Sequence, residues 1–290
     1  MITLLDGGMG GELIRRGYAK STELWSAQAL LDAPLDVVNV HKDFVQAGAQ
    51  IIITNSYSTI PSYLGKLDLA HRYQELTGLA AQLARQVAQE CGGQVQVAGS
   101  LPPLSESYRP DLVAGVEEAR PIYRNLVSAL QPFVDLYICE TMSSIDETLN
   151  AATMAFEQDG TKPVYVSWTL AEEPGSGLRS GESIADAVNS IAHLDVTAIL
   201  FNCTTPEAVE VAIGELRGLT DKPIGAYPNL LRIPQGWTLD DKSIPSVRRE
   251  LSVEEFVLFA QRYIDAGASI LGGCCGIGPE YIAALKHHIS

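Results

Sequence analysis

Apolar residues fall along this chain in short runs rich in Val, Ile and Leu, separated by longer stretches in which they recur at helical spacing. Eight runs read as strands: 2–6 (ITLLD), 51–55 (IIITN), 95–100 (VQVAGS), 136–141 (LYICET), 164–169 (VYVSWT), 198–203 (AILFNC), 223–229 (PIGAYPN) and 269–275 (SILGGCC). Near-continuous hydrophobicity of this kind belongs to strands buried on both faces, as in a parallel sheet covered by helices. Helices are legible in PLDVVNVHKDFVQAGA before the second run, RPIYRNLVSALQPF before the fourth, SIADAVNSIAHL before the sixth and VEEFVLFAQRYIDAGA before the eighth. Gly48 and Gly267 stand where C-terminal caps belong. Eight such units in 290 residues predict an α/β fold, a single (β/α)8 TIM barrel, with a doubly wound open sheet as runner-up. No linker, low-complexity tract or fixed-period repeat breaks the pattern, so one domain over 1–290 is expected.

In a barrel the C-terminal ends of the strands share one face, where barrel enzymes carry their chemistry. The distinctive residues of this chain stand at those ends. They are Asp6, Gly7 and Gly8 after the first run, Thr54 to Tyr57 after the second, Gly99 and Ser100 after the third, and Glu140 and Thr141 after the fourth. Trp168, Asn202 and Cys203, Tyr227 to Asn229, and Gly272 to Gly276 follow in the later runs.

Composition narrows the partners. Against 20 Lys and Arg stand 35 Asp and Glu, a formal charge of -15, which would repel nucleic acid and anionic membranes. No run reaches the length of a membrane span, and MITLLDGG has neither the basic region nor the apolar stretch of a signal peptide. A cytoplasmic location is expected.

The five cysteines, an odd number, do not read as a disulfide framework, which leaves metal binding or catalysis. Cys91 and Cys139 are set aside, one ending a helical stretch and the other inside an apolar run. Cys203 closes the sixth run, and Cys274 and Cys275 close the eighth, so a barrel would gather three thiolates about an open position, the arrangement of catalytic zinc. Adjacent side chains on a strand point to opposite faces, so the strand must break at the pair, and Gly272, Gly273 and Gly276 permit it. A simply buried thiol at Cys203, and a disulfide between Cys274 and Cys275, stand as alternatives.

With DGGMGGEL at 6–13, TNSYS at 54–58, GS at 99–100, ET at 140–141, FNC at 201–203, YPN at 227–229 and GGCCG at 272–276, the chain resembles the zinc-dependent homocysteine S-methyltransferases along its whole length. FNC followed by GGCCG is the specific part. The resemblance implies Zn2+ on Cys203, Cys274 and Cys275, the three residues through which the acceptor thiol is activated. It also implies that Asp6 and Glu140 receive the ammonium group of homocysteine. The homocysteine carboxylate would meet backbone N–H groups near Gly7, Phe201 and Asn202, with a hydroxyl from Ser56. A metal that deprotonates the thiol removes the need for a general base, and none of His41, His71, His193, His287 or His288 falls at a strand end.

The implied reaction partners are homocysteine and a small diffusible methyl donor, with methionine as product. A sulfonium such as S-methylmethionine or S-adenosylmethionine is preferred to betaine, since the chain ends at Ser290 without the extension of the betaine-dependent relatives. Tyr57, Trp168, Tyr227 and Trp237 are candidate aromatic faces for such a cation, with ordinary packing as the competing role. Two segments depart from the family pattern: GSLPPLSESYRPDLV at 99–113, and 230–251, which reads as a donor-side lid. Outside the family, a metal-dependent barrel hydrolase would need a His pair where Asp6, Gly7 and Gly8 stand. A non-catalytic zinc- or thiol-binding barrel is the other alternative.

Overall fold

Each of the eight apolar runs overlaps a strand in the structure, a computed structural model that describes residues 1–17, 24–232, 246–247 and 251–290. They are β1 (Thr3–Leu4), β2 (Ile51–Ile53), β3 (Gln96–Leu101), β4 (Leu136–Met142), β5 (Val164–Trp168), β6 (Ala198–Asn202), β7 (Ile224–Tyr227) and, last in the chain, β10 (Ala268–Leu271). A short antiparallel pair, β8 (Leu231–Arg232) and β9 (Ser246–Val247), lies between β7 and β10 in sequence. The eight long-range strands pair in parallel in the order β1, β10, β7, β6, β5, β4, β3, β2. A parallel bridge from Leu5 to Ile51, with the Gln50 N–H donating to the Leu4 carbonyl at 2.8 Å, joins the two edges. The sheet is therefore closed, a barrel and not the open doubly wound alternative.

Helices α1 (Met9–Arg15), α2 (Gln28–Asp32), α3 (Pro34–Ala47), α4 (Pro61–Leu64), α5 (Tyr73–Glu90) and α6 (Val116–Leu130) cover the first half of the barrel. The second half carries α7 (Ile145–Gln158), α8 (Ile184–Ser190), α9 (Pro206–Arg217), α10 (Val253–Asp265) and α11 (Pro279–Ile289). Local chemistry sets their ends. Ser144, Ser183, Thr205 and Ser252 accept the backbone N–H three residues on, at the starts of α7 to α10. Gly48 and Gly267 adopt φ of 112° and 103°, the left-handed exit expected of them. One helix begins earlier than its sequence suggests: α6 starts at Val116, with Pro121 inside it, because Glu117 and Glu118 suit the positive end of the helix dipole. None of the described helices is long and apolar enough to cross a membrane.

Strand alternation sorts the side chains into two cores. Leu5, Ile51, Ala98, Leu136, Ile138, Ala198, Leu200, Tyr227 and Ile270 fill the barrel interior. Leu4, Ile52, Val97, Cys139, Val166, Trp168, Ile199, Phe201 and Ala226 face outward, into the larger core shared with the helices. Cys139 is thus a packing residue, as its sequence context suggests, while Cys91 is exposed. His41, on α3, is fully buried in the helical layer, and neither ring nitrogen has a partner.

Candidate metal centre and substrate pocket

The three site cysteines converge at the C-terminal mouth. Cys203 follows the end of β6, and by strand parity it would face the helices, since Phe201 does so. A left-handed φ of 53° turns the chain at this residue, and its N–H donates to the Tyr227 carbonyl at 3.3 Å. Cys274 and Cys275 lie beyond β10, on a loop that leaves the strand at Gly272. That loop is pinned from three sides: the Cys274 N–H donates to the Pro228 carbonyl (2.9 Å), the Gly273 N–H to the Asp6 carbonyl (3.0 Å) and the Leu230 N–H to the Cys275 carbonyl (2.8 Å). The expected break at the cysteine pair is therefore present.

Glycines after β1 allow this approach. A Cβ on Gly8 would lie 2.6 Å from the Cys274 carbonyl oxygen, and one on Gly7 would overlap the Ile277 carbonyl and the Phe44 ring. No larger residue fits between the first and last loops of the barrel.

The Sγ atoms of Cys203, Cys274 and Cys275 all lie within 4.8 Å of one another. Cys203 and Cys274, whose Cα atoms are 5.6 Å apart, bring their sulfurs within reach of a disulfide, and Cys275 Sγ lies 3.9 Å from Cys203 Sγ. Tetrahedral zinc–thiolate bonds of about 2.3 Å separate two sulfurs by roughly 3.8 Å, so the reduced trio fits such an ion. The chemistry of the trio agrees. Burial, with Glu140 adding to it, pushes the Cys275 thiol up to about 11, so a neighbouring cation is what would hold it as thiolate near neutrality.

Two buried carboxylates stand beside the thiols. Asp6 accepts the Ile53 N–H on Oδ2 at 2.9 Å, while its buried Oδ1 has no partner. Glu140 accepts from the Ser100 hydroxyl at 2.5 Å and from the Tyr227 hydroxyl at 3.4 Å. Burial holds Asp6 well above the usual carboxylate range, with the Glu140 charge adding to it, and pushes Glu140 up to about 7. A cationic ligand is what this pair lacks. A register irregularity in β4 between Cys139 and Met142 spans Glu140, and Thr141 beside it adopts φ 60°. Asn202 braces that strained turn: its Oδ1 accepts from the Thr141 N–H (2.9 Å) and the Ser167 hydroxyl (2.7 Å), and its Nδ2 donates to Thr141 Oγ1 (2.8 Å).

Other expected contacts are distributed unevenly. Ser56 is buried, its hydroxyl paired with Thr54 Oγ1 (2.8 Å) and donating to the Ser100 carbonyl (3.2 Å). The Phe201 ring faces outward, 6.3 Å from the Trp168 ring, so only its backbone is left to the pocket. Trp168 is not an aromatic face of the mouth: it lies in the outer core and donates from Nε1 to Thr148 Oγ1 at 2.9 Å. Parity in VYVSW already puts Trp168 with the outward Val164 and Val166. Tyr227 and the half-buried Tyr57 remain, the latter paired with Ser107 Oγ at 2.6 Å. Trp237 and most of the expected lid at 230–251, namely 233–245 and 248–250, lie outside the described residues. An aromatic residue that sequence reasoning passed over, Tyr108, packs with Cys203, and Cys274 and Cys275 pack against the two. Its signal was the unusual segment 99–113, and it adopts φ 66°.

Fold and site together define a parallel β/α barrel with a three-thiol centre and a buried acidic pocket at its mouth. Comparison with known proteins agrees with that class. The family model described as homocysteine S-methyltransferase matches residues 3–289. The homocysteine S-methyltransferase of Escherichia coli (strain K12) is 31% identical, covering 98% of this chain and 94% of its own length. Homocysteine S-methyltransferase 3 of Arabidopsis thaliana is 32% identical, covering 99% of this chain and 89% of its own length. The crystal structure of the E. coli homocysteine methyltransferase in its metallated form superposes with a TM-score of 0.83 at 30% identity, over 99% of this chain and 96% of that one. This chain belongs to the homocysteine S-methyltransferase family.

Proposed function

We propose that this protein is a zinc-dependent methyltransferase that moves a methyl group from a small sulfonium donor, S-methylmethionine or S-adenosylmethionine, to the sulfur of homocysteine, forming methionine. The observation that carries the reading is the meeting of Cys203, Cys274 and Cys275, from two remote segments, beside two buried carboxylates, Glu140 and an Asp6 whose Oδ1 has no partner. Family membership and a relative solved in a metallated form support it.

Cys203, Cys274 and Cys275, in their reduced state, would hold the zinc. Bound there, the ion would supply the Lewis acidity that removes the proton of the acceptor thiol at neutral pH. Asp6 and Glu140 take the ammonium group of homocysteine, which completes the free Oδ1 and relieves the carboxylate repulsion. Ser100 and Tyr227 fix the direction of Glu140, and Asn202 fixes the strand end that carries it. Backbone N–H groups near Gly7, Phe201 and Asn202, with the Ser56 hydroxyl, are assigned to the substrate carboxylate. In the transfer, a lone pair of the acceptor thiolate forms the new S–CH3 bond as the donor's C–S bond breaks. The bonding pair returns to the donor sulfur, whose positive charge is lost, and a neutral thioether departs.

The test is a donor panel: methionine formed from homocysteine with S-methylmethionine, S-adenosylmethionine and betaine, before and after chelation and after zinc is restored. Activity with a sulfonium that vanishes on chelation and returns with zinc is expected. Full turnover in verified metal-free protein would overturn the reading.

A further inference from the structure

Arg179 lies on the loop between β5 and α8, above the strand ends, and its side chain is nine-tenths buried, at 10% exposure. Its guanidinium stacks on Tyr108, 5.1 Å from the ring centroid, and Tyr108 is the residue that packs with Cys203 against Cys274 and Cys275. Two guanidinium nitrogens, Nε and Nη2, are buried without a hydrogen-bond partner. Glu172 Oε1 stands 3.7 Å from Nη2, close enough for attraction and too far for a hydrogen bond. A buried guanidinium with open donors is costly unless something accepts from it, and its planar fork matches a carboxylate.

The anchoring of the loop argues that the group is held in place. The Arg179 N–H donates to the Thr169 carbonyl (3.2 Å), the Ser180 N–H to the Ser143 carbonyl (3.0 Å), and the Thr169 hydroxyl to the Cys203 carbonyl (3.3 Å). The loop is thus tied to the same strand ends that carry the thiol cluster.

From this arrangement we infer that Arg179 is the specificity residue for the methyl donor, receiving a carboxylate carried by that donor while its onium group faces Tyr108 and the thiols. This rests on the methyl-transfer reading above and deepens it: Arg179 is the group that recognises the carboxylate which both proposed sulfonium donors carry. Charge gives the reason. Three thiolates and the acceptor sulfur would outweigh a divalent ion held among them, and the two carboxylates would outweigh one ammonium group, so the centre favours the onium end of a donor and repels its carboxylate, which needs a cation set apart. The acceptor's charged end is assigned to Asp6 and Glu140 within the barrel, whereas Arg179 stands on the loop between β5 and α8. Guanidinium and onium lie on one aromatic residue, so the two ends of the donor are read together.

Steady-state rates with homocysteine are to be measured for wild-type and Arg179→Gln protein, using S-methylmethionine and its carboxamide as donors. In the wild type the acid should be preferred to the amide by about 10- to 100-fold in kcat/KM. Arg179→Gln should erase that preference by raising KM for the acid alone, leave KM for homocysteine within about twofold, and leave the zinc content unchanged. Arg179→Lys should recover part of the preference, which separates charge from folding. Equal use of acid and amide by the wild type overturns the inference and leaves the methyl-transfer reading intact. A rise in KM for homocysteine in Arg179→Gln overturns it by assigning the guanidinium to the acceptor. Wild-type protein inactive with every sulfonium donor overturns both.

Discussion

Asp6 and Glu140 illustrate at the residue scale how a binding pocket is kept at the expense of stability. Both carboxyls are buried near one another, and both are pushed up by desolvation. Glu140 has an ordinary value of 4.5 and is raised to about 7 in the folded protein. Below pH 4.5 it is protonated folded or unfolded. As pH rises toward 7 only the unfolded chain releases the proton, so its contribution to stability is lost over that window and stays lost above it. Glu140→Gln should therefore stabilise the metal-free protein at pH 8, by about 1–3 kcal/mol, and flatten its stability between pH 5 and 7. The same variant should weaken homocysteine binding by at least tenfold, because the ammonium group loses a charged acceptor. Chemical denaturation across pH, with calorimetric titration of homocysteine, checks both halves. For the thiols, Cys203→Ser and Cys274→Ser should each lose bound zinc and activity while far-UV circular dichroism stays that of the barrel. Cys203 belongs to a small cluster of its own with Tyr108, and Cys274 only packs against the edge of the interior core.

At the scale of elements, the three-thiol cluster is a property of loops held by strand ends. The loop after β1 and the loop after β10 touch through Gly8 and Cys274. Gly8→Ala should displace the cysteine loop and lower zinc affinity by about 10- to 100-fold, as loss of a supporting contact does, measured by competition with a chelating dye. An unchanged affinity would mean that the loops are not coupled. The caps are a separate matter. Ser144 accepts the Glu147 N–H at 3.2 Å at the start of α7, and Ser144→Ala should cost about 1 kcal/mol, a fall of about 2–4 °C in Tm, without altering zinc content.

Across the whole molecule, closure of the sheet brings Cys203 and Cys274, 71 residues apart, to bonding distance. The same proximity serves a metal or a disulfide, and the two exclude each other. Protein holding the Cys203–Cys274 bond should take up zinc only after reduction, with two further thiols titrating before uptake. Chelation should abolish turnover and leave a cooperative melt, since the two hydrophobic cores owe nothing to the ion. Zinc uptake without a change in thiol count would refute the exclusion.

Much of this architecture was legible in the chain. Apolar runs buried on both faces identify the strands, helical spacing and capping residues identify the helices, and the glycines around Cys274 and Cys275 announce a broken strand. These signals are local, set by side-chain solvation and backbone sterics within a few residues, and their number alone points to a barrel. Strand parity in VYVSW also turns Trp168 outward, with Val164 and Val166. Tertiary structure decided the remainder: that Cys203 leaves its strand with a left-handed φ, that Asp6 keeps an unpaired oxygen, that Tyr108 joins the thiols, and that Arg179 is buried with open donors on that ring. Such facts depend on which groups meet across loops remote in sequence, and burial and electrostatic neighbourhood exist only once the barrel has closed.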